Sequence, residues 1–324
     1  MITKTRALSL MKRAAYNYLF QRPFCVSFEI THCCNAKCKH CHLGGHIEEQ
    51  RASPEQLGQI CRQINPLIAQ FSGGEPLLRK DLEEIIKAVR RPNRAPYIDI
   101  TTNGILLTPE RYYSLLDAGV DQIGLSLDYP DSRHDVFRGV PGLFERIEKF
   151  IQSLNGEKDK AITLLCVVQR DNFRDLLRMA ELAYHWKVKI NFSAYTWLRT
   201  HDDNYLLTPP EAEELRQMST KLLKFKQQHQ NIFTSPYVFK KMAQFFEHRS
   251  LPPCQTGVKF FNVNPDGTMS PCGLIIKDYG TQQELQEKFS RHNTCTYCYT
   301  SIRANTEKPL YHLIADNIQV LNRF

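Results

Sequence analysis

The chain has no long apolar run. Its longest unbroken stretch is Leu164-Leu165-Cys166-Val167-Val168, far short of the ~18 residues that cross a bilayer. No membrane-spanning helix is expected. The N-terminal stretch lacks an apolar export core, because Lys4, Arg6, Lys12 and Arg13 interrupt it. The expectation is a cytoplasmic protein without a signal peptide. Low-complexity tracts, long blocks of like charge and a basic tail are also missing. Nucleic-acid binding therefore has no electrostatic footprint here. Lys and Arg number 42 against 34 Asp and Glu, a formal net charge of +8. That mild excess permits an anionic partner without requiring one.

What is present is an ordinary globular composition with one anomaly. Hydrophobic residues make up 42% and charged residues 23% of 324 positions. Those fractions exclude disorder, collagen and coiled coil, and the length suits about two domains at roughly 150 residues each. The anomaly is cysteine. There are eleven, an odd number in a chain with no export signal. Such usage argues against a disulfide framework and for thiols that bind metal or do chemistry in a reducing compartment.

Strand and helix patterns alternate along most of the chain. Strands are expected at 24–30, 67–71, 97–101, 122–127, 161–168 and 189–194, each followed by a helical pattern. Ser53-Pro54-Glu55-Gln56 and Thr208-Pro209-Pro210-Glu211 read as capping boxes with Pro at the first helical position. The apolar positions Leu82, Ile85, Ile86 and Val89 fall on one helical face. Six parallel βα units predict an α/β fold built as a partial (βα)6 TIM-type barrel over 23–230. The pattern then stops. A small Cys-rich α+β extension is expected over 231–324, with an aromatic helix at 238–246, a hairpin turning at Asp266-Gly267 and a closing helix at 310–321. Residues 1–22 read as an N-terminal helix carrying Leu8, Met11, Ala15 and Leu19 on one stripe. Packing of that stripe on the barrel is expected, with membrane-surface contact as the alternative.

Cys34, Cys38 and Cys41 give C-x3-C-x2-C spacing on the loop after the first strand. Three thiolates this close hold one face of a metal cluster. A [4Fe–4S] cube normally takes four protein thiolates, so three leave one iron open. Zinc is the competing reading, with His40, His42 or His46 as fourth ligand. Gly73-Gly74-Glu75-Pro76 ends the second strand, Thr101-Thr102-Asn103-Gly104 the third and Ser126-Leu127-Asp128 the fourth. In a parallel barrel these turns share the rim where such folds build active sites.

This constellation resembles the radical S-adenosylmethionine (radical SAM) superfamily, over roughly residues 24–200. His40 stands where the family usually has an aromatic residue before the third cysteine. The resemblance implies a [4Fe–4S] cluster on Cys34, Cys38 and Cys41, with the open iron chelating the amino and carboxylate groups of S-adenosylmethionine. It implies that Gly73, Gly74, Glu75 and Pro76 hold the methionine amino group, with Asn103, Ser126 and Asp128 as further contacts. The chemistry implied is one-electron cleavage to a 5′-deoxyadenosyl radical that abstracts a substrate hydrogen. An external one-electron reductant, flavodoxin- or ferredoxin-like, would supply the electron.

Cys254, Cys272, Cys295 and Cys298 lie beyond the barrel, and Asn264 to Cys272 resembles the hairpin of the SPASM or twitch extension of some radical SAM enzymes. That resemblance implies a second, auxiliary Fe–S cluster of [4Fe–4S] type, the shorter twitch form being favoured. Four-cysteine zinc is the competing reading. Cys25, Cys33, Cys61 and Cys166 remain as buried structural thiols. Trp186 and Trp197 are expected in packing roles, and Arg133, His134 and Arg138 on a solvated loop. Association of the extension with peptide-modifying enzymes favours a peptide or protein substrate. A lipid, nucleotide or other small molecule is the alternative. A non-catalytic electron carrier or zinc-binding module is the reading of another class, and a carrier needs no coordination vacancy.

Overall fold

A computed structural model describes residues 4–91, 95–154, 156, 160–309 and 311–312. The first helix, α1 (Lys4–Leu19), precedes β1 (Cys25–Thr31), α2 (Pro54–Ile64), β2 (Ile68–Gly73), α3 (Leu82–Val89), β3 (Tyr97–Thr102), α4 (Pro109–Ala118) and β4 (Gln122–Ser126). Then follow α5 (Arg133–Arg138), α6 (Leu143–Ser153), β5 (Ile162–Val168), α7 (Leu176–His185), β6 (Lys189–Ala194), α8 (Pro209–His229) and α9 (Pro236–His248). The chain continues through β7 (Phe260–Val263), β8 (Met269–Ser270), α10 (Gln282–Lys288) and α11 (Ser301–Thr306). The helix expected at 310–321 lies almost wholly outside the described residues.

Among the described residues, one sheet carries eight strands in the order β6-β5-β4-β3-β2-β1-β7-β8. Every pairing is parallel except the β7–β8 hairpin. The six βα units form the partial barrel that the alternation predicts. β7 then extends it beyond β1, with Cys25 opposite Phe260 and Phe28 opposite Val263. Residues after β6 complete the other side. Ser301 N donates to Ser193 Oγ at 3.0 Å and Thr196 Oγ1 donates to the Tyr297 carbonyl at 3.1 Å. The C-terminal segment thus touches both sides of the barrel seam.

Alternation along the strands sorts the side chains. On β3, Ile98, Ile100 and Thr102 are buried beneath the helices, while Tyr97, Asp99 and Thr101 face the barrel interior, half-buried. The outer positions build one core: Ile85, Ile86, Leu115, Ile123, Leu164 and Phe192 all belong to it. Deleting one such side chain, Ile86→Ala for example, costs about 2–5 kcal/mol. Both expected capping boxes are formed, at Ser53 with Gln56 and at Thr208 with Glu211.

α1 lies against the end of the barrel where the strands begin, and it does so with the face opposite to expectation. Ala7 and Asn17 are buried, Arg6 pairs with Asp121 and Asn17 Nδ2 donates to the Pro23 carbonyl at 2.7 Å. The stripe of Leu8, Met11, Ala15 and Leu19 points outward, with Leu8 53% and Leu19 74% exposed. The reason is chemical: this end presents the Asp121 carboxylate and free backbone carbonyls, which polar side chains satisfy and leucines do not.

Candidate functional site

The loop after β1 is held at its base and along its edge. Cys34 and Gly45 exchange backbone hydrogen bonds at 3.0 and 2.8 Å. Lys37 N and Lys39 N donate to the Arg138 and Phe137 carbonyls of α5, and the His40 ring stacks on Phe137 at 4.9 Å. Burial holds His40 well below the usual imidazole range, so the ring is neutral. His46 Nδ1 sits 3.7 Å from Cys33 Sγ. Of the three candidate zinc histidines, His46 is therefore engaged at Cys33, while His40 lies against Phe137 with its Nδ1 unpartnered. Among the described residues no three His, Cys, Asp or Glu side chains close on a single-ion site.

Cys34, Cys38 and Cys41 each have a side-chain N–H donor aimed at the sulfur. Asn103 Nδ2 lies 3.8 Å from Cys34, Arg138 Nη1 3.6 Å from Cys38 and Arg199 Nη1 3.4 Å from Cys41. Burial pushes the Cys34 and Cys38 thiols up, while Arg138 pulls Cys38 the other way. Donors to sulfur favour thiolate and are the usual surroundings of thiolate-held iron. The donor set suits a cluster.

The Gly-Gly turn presses on the end of β1. Gly74 N donates to the Thr31 carbonyl at 2.7 Å, and Glu75 N to the Cys33 carbonyl at 2.8 Å. A Cβ on Gly74 would fall 2.1 Å from that Cys33 carbonyl oxygen, so only glycine fits. Glu75 turns inward and is fully buried. Its carboxylate accepts from Thr102 Oγ1 at 2.7 Å, Asn103 N at 2.8 Å and Leu77 N at 3.1 Å. Asp128 is also fully buried, accepting from Arg138 Nε at 2.8 Å and Val167 N at 3.0 Å.

A cavity of about 330 Å³ opens at the strand ends. Cys34, Cys38, Cys41, Gly73, Gly74, Asn103 and Ser126 line it, whereas Glu75, Pro76 and Asp128 stand behind its wall. Cys254, Cys272, Cys295 and Cys298 line the same cavity. Asn293 Nδ2 donates to Cys254 Sγ at 3.4 Å, and Cys254 N to the Cys295 carbonyl at 3.3 Å. Burial pushes the Cys272 thiol up to about 12 and Cys298 up to about 11. Cys25, Cys33, Cys61 and Cys166 are all buried, as expected.

Two site residues escape the sequence reading. Arg138 belongs to a buried helix end and not to a solvated loop; with it, His134 is fully buried. Only Arg133 of that trio is exposed, paired with Asp131 and Asp175. Arg199, at the end of a short 3-10 turn after β6, carries no motif at all. Trp186 is buried in the core and Trp197 packs edge-on to Tyr297 at 6.1 Å.

The radical SAM superfamily model matches residues 28–183, which hold the end of β1, the cysteine loop, the Gly-Gly turn and β2 to β5. Over these residues the chain belongs to the radical SAM superfamily. It is an enzyme of that superfamily, whose members use a [4Fe–4S] cluster and S-adenosylmethionine. An AdoMet-dependent heme synthase of Oleidesulfovibrio alaskensis is 26% identical over 291 residues, spanning 81% of this chain and 72% of its own. A PqqA peptide cyclase of Granulibacter bethesdensis is 28% identical over 264 residues, 77% of this chain and 67% of its own. Among solved structures, Streptococcus suis SuiB bound to precursor peptide SuiA superposes at TM-score 0.63 with 16% identity, covering 94% of this chain and 70% of that one. The peptide-bound anSMEcpe superposes at 0.61 with 20% identity, over 82% and 79% of the two chains. These likenesses confirm the radical SAM enzyme fold. No described helix of the enzyme is long and apolar enough to cross a membrane.

Proposed function

We propose that this radical SAM enzyme holds two Fe–S clusters about one cavity and modifies a peptide or protein substrate. The supporting observation is that both cysteine sets line the same opening. Cys34, Cys38 and Cys41 supply three thiolates and leave one iron free for S-adenosylmethionine. Cys254, Cys272, Cys295 and Cys298 supply four and close a second cluster of the SPASM or twitch kind. When bound, the reduced cluster and S-adenosylmethionine supply one-electron cleavage of a C–S bond and a hydrogen-abstracting radical. An external one-electron reductant provides the electron.

The chain's own residues do the positioning. Glu75 braces the turn that carries Gly73 and Gly74, both of which line the cavity. Asp128 fixes Arg138 against Cys38. The C-terminal segment covers the barrel seam and shields the interior from solvent, which protects a reactive intermediate.

The peptide reading draws on the PqqA peptide cyclase and on the peptide-bound SuiB and anSMEcpe. The likeness to AdoMet-dependent heme synthase, which covers slightly more of this chain, favours a second reading: a small-molecule substrate. Anaerobic purification with iron, sulfide and zinc analysis and an assay for 5′-deoxyadenosine tests the core of the proposal. Replacing Cys34, Cys38 and Cys41 with Ala should remove about half the iron. Zinc in place of iron, or reduced protein that never forms 5′-deoxyadenosine, defeats it. Stimulation of 5′-deoxyadenosine release by peptides or by iron porphyrins then separates the two substrate readings.

A further inference from the structure

Arg199 stands between the two cysteine sets. Its Nη1 lies 3.4 Å from Cys41 Sγ and its Nη2 lies 3.7 Å from Glu29 Oε1. A Cβ built on Gly273, the residue directly after Cys272, would fall 2.7 Å from Nη2 and 2.4 Å from Glu29 Oε1. Glycine at 273 is what lets the guanidinium and the carboxylate press against the second cysteine segment. Cys41 and Cys272 both lie within electrostatic range of the guanidinium.

Glu29 belongs to β1 and points into the cavity. Its Oε1 also accepts from Asn262 Nδ2 of β7 at 2.7 Å, and its Oε2 meets His32 Nε2 at 3.2 Å. The carboxylate is therefore shared among three partners. The contrast with Arg138 is instructive. Two nitrogens of Arg138 contact the fully buried Asp128 carboxylate at 2.8 and 2.7 Å, which offsets most of its charge locally. Arg199 has one longer contact to a carboxylate already divided between Asn262 and His32. More of its positive field reaches sulfur.

We propose that Arg199 is a positioning residue that sets the reduction potential of the group held by Cys34, Cys38 and Cys41, with Glu29 as its opposing charge. The inference rests on the reading that these three cysteines hold an Fe–S cluster. Reduction adds a negative charge to such a cluster. A nearby cation and an N–H donor on a ligating sulfur favour the reduced form, and a nearby carboxylate opposes it. Because the same guanidinium faces the Cys272–Gly273 segment, a change of charge at either cluster is felt at one shared side chain.

The test is a potentiometric titration of the reconstituted full-length enzyme, followed by electron paramagnetic resonance. The three-cysteine signal is identified as the one that changes when S-adenosylmethionine is added. Arg199→Gln should shift its midpoint to more negative potential. Glu29→Gln should shift it to more positive potential, Arg199→Lys should restore part of the Arg199→Gln loss, and the double variant Glu29→Gln/Arg199→Gln should return toward wild type. Arg133→Gln, at an exposed residue outside the cavity lining, serves as control. Opposite shifts at unchanged iron content support the proposal, because a purely structural role would not reverse sign with charge. Shifts for Arg199→Gln and Glu29→Gln no larger than the control's overturn it while leaving the two-cluster reading intact. If Arg199→Gln does not retain iron, Arg199→Lys and Glu29→Gln carry the test, and an unmoved midpoint in Glu29→Gln overturns it. Wild-type protein without an Fe–S cluster overturns this inference together with the reading beneath it.

Discussion

Arg138 links the buried carboxylate of Asp128 to the sulfur of Cys38. Nε and Nη2 contact Asp128 Oδ2 at 2.8 and 2.7 Å, while Nη1 lies 3.6 Å from Cys38 Sγ. α5 brings the arginine there, and the loop hydrogen bonds from Lys37 and Lys39 fasten α5 to the cysteine segment. Arg138→Met should therefore do two things. It strands a buried carboxylate, which costs on the order of 3–5 kcal/mol in urea unfolding. It also removes the donor to Cys38, so iron retained after anaerobic gel filtration should fall. Wild-type stability in this variant would show that Asp128 has another counter-charge.

Glu75 gives a second prediction, because its three partners are all donors: Leu77 N, Thr102 Oγ1 and Asn103 N. Glu75→Gln is nearly isosteric but places an amide NH2 where a donor already points. The buried clash costs about 1–3 kcal/mol. Thermal unfolding should show the loss, and S-adenosylmethionine affinity should weaken because the Gly73–Gly74 turn is loosened. An unchanged melting temperature with weakened binding would mean that Glu75 contacts the ligand directly.

The strands were legible because periodicity and turn chemistry depend on local sequence alone; β6 is found at the expected residues 189–194. The cysteine loop and the Gly-Gly turn were legible for the same reason, each being a short contiguous motif. What stayed hidden depends on distant partners. The six residues of α5, Arg133–Arg138, are mostly polar, and only Asp128 and the cysteine loop make their burial favourable. Arg199 is one arginine in a chain of many until the fold sets it 3.4 Å from Cys41. For α1, the largest apolar residues suggested the packing face, yet the barrel end offers charge and carbonyls and takes Arg6, Ala7 and Asn17 instead.

That orientation of α1 has a measurable consequence. Leu8→Ser and Leu19→Ser, both on the exposed stripe, should alter unfolding free energy by no more than about 0.5 kcal/mol. Asp121→Ala should behave otherwise. Its carboxylate pairs with Arg6 of α1 and with Arg90 at 2.9 Å, and accepts from Ile98 N at 2.8 Å. Removing it takes away a buried acceptor shared by two guanidinium groups and a strand N–H, a loss of roughly 3–5 kcal/mol. Equal effects from the two classes of variant would mean that α1 is held by its apolar stripe after all.

Asp99 supplies the pH dependence. It faces the barrel interior from β3, where Oδ2 accepts from Gln70 Nε2 at 2.9 Å and Oδ1 has no hydrogen-bond partner. Burial is the leading cause of a pKa raised from 3.8 to about 6, and the Asp121 charge adds to it. The folded state then keeps a proton that the unfolded chain has released. Stability from this group is fully present below about pH 4 and is lost as pH rises through about 6. Asp99 is only half-buried, so interior water screens it and the loss is on the order of 1–2 kcal/mol. Asp99→Asn carries no charge to be desolvated. Its unfolding free energy, compared with wild type in urea from pH 4 to pH 8, should show a relative gain that grows through this window and levels off above it. A difference between the two proteins that does not change with pH would mean that Asp99 is ionised in the fold throughout, with its charge satisfied by water in the barrel.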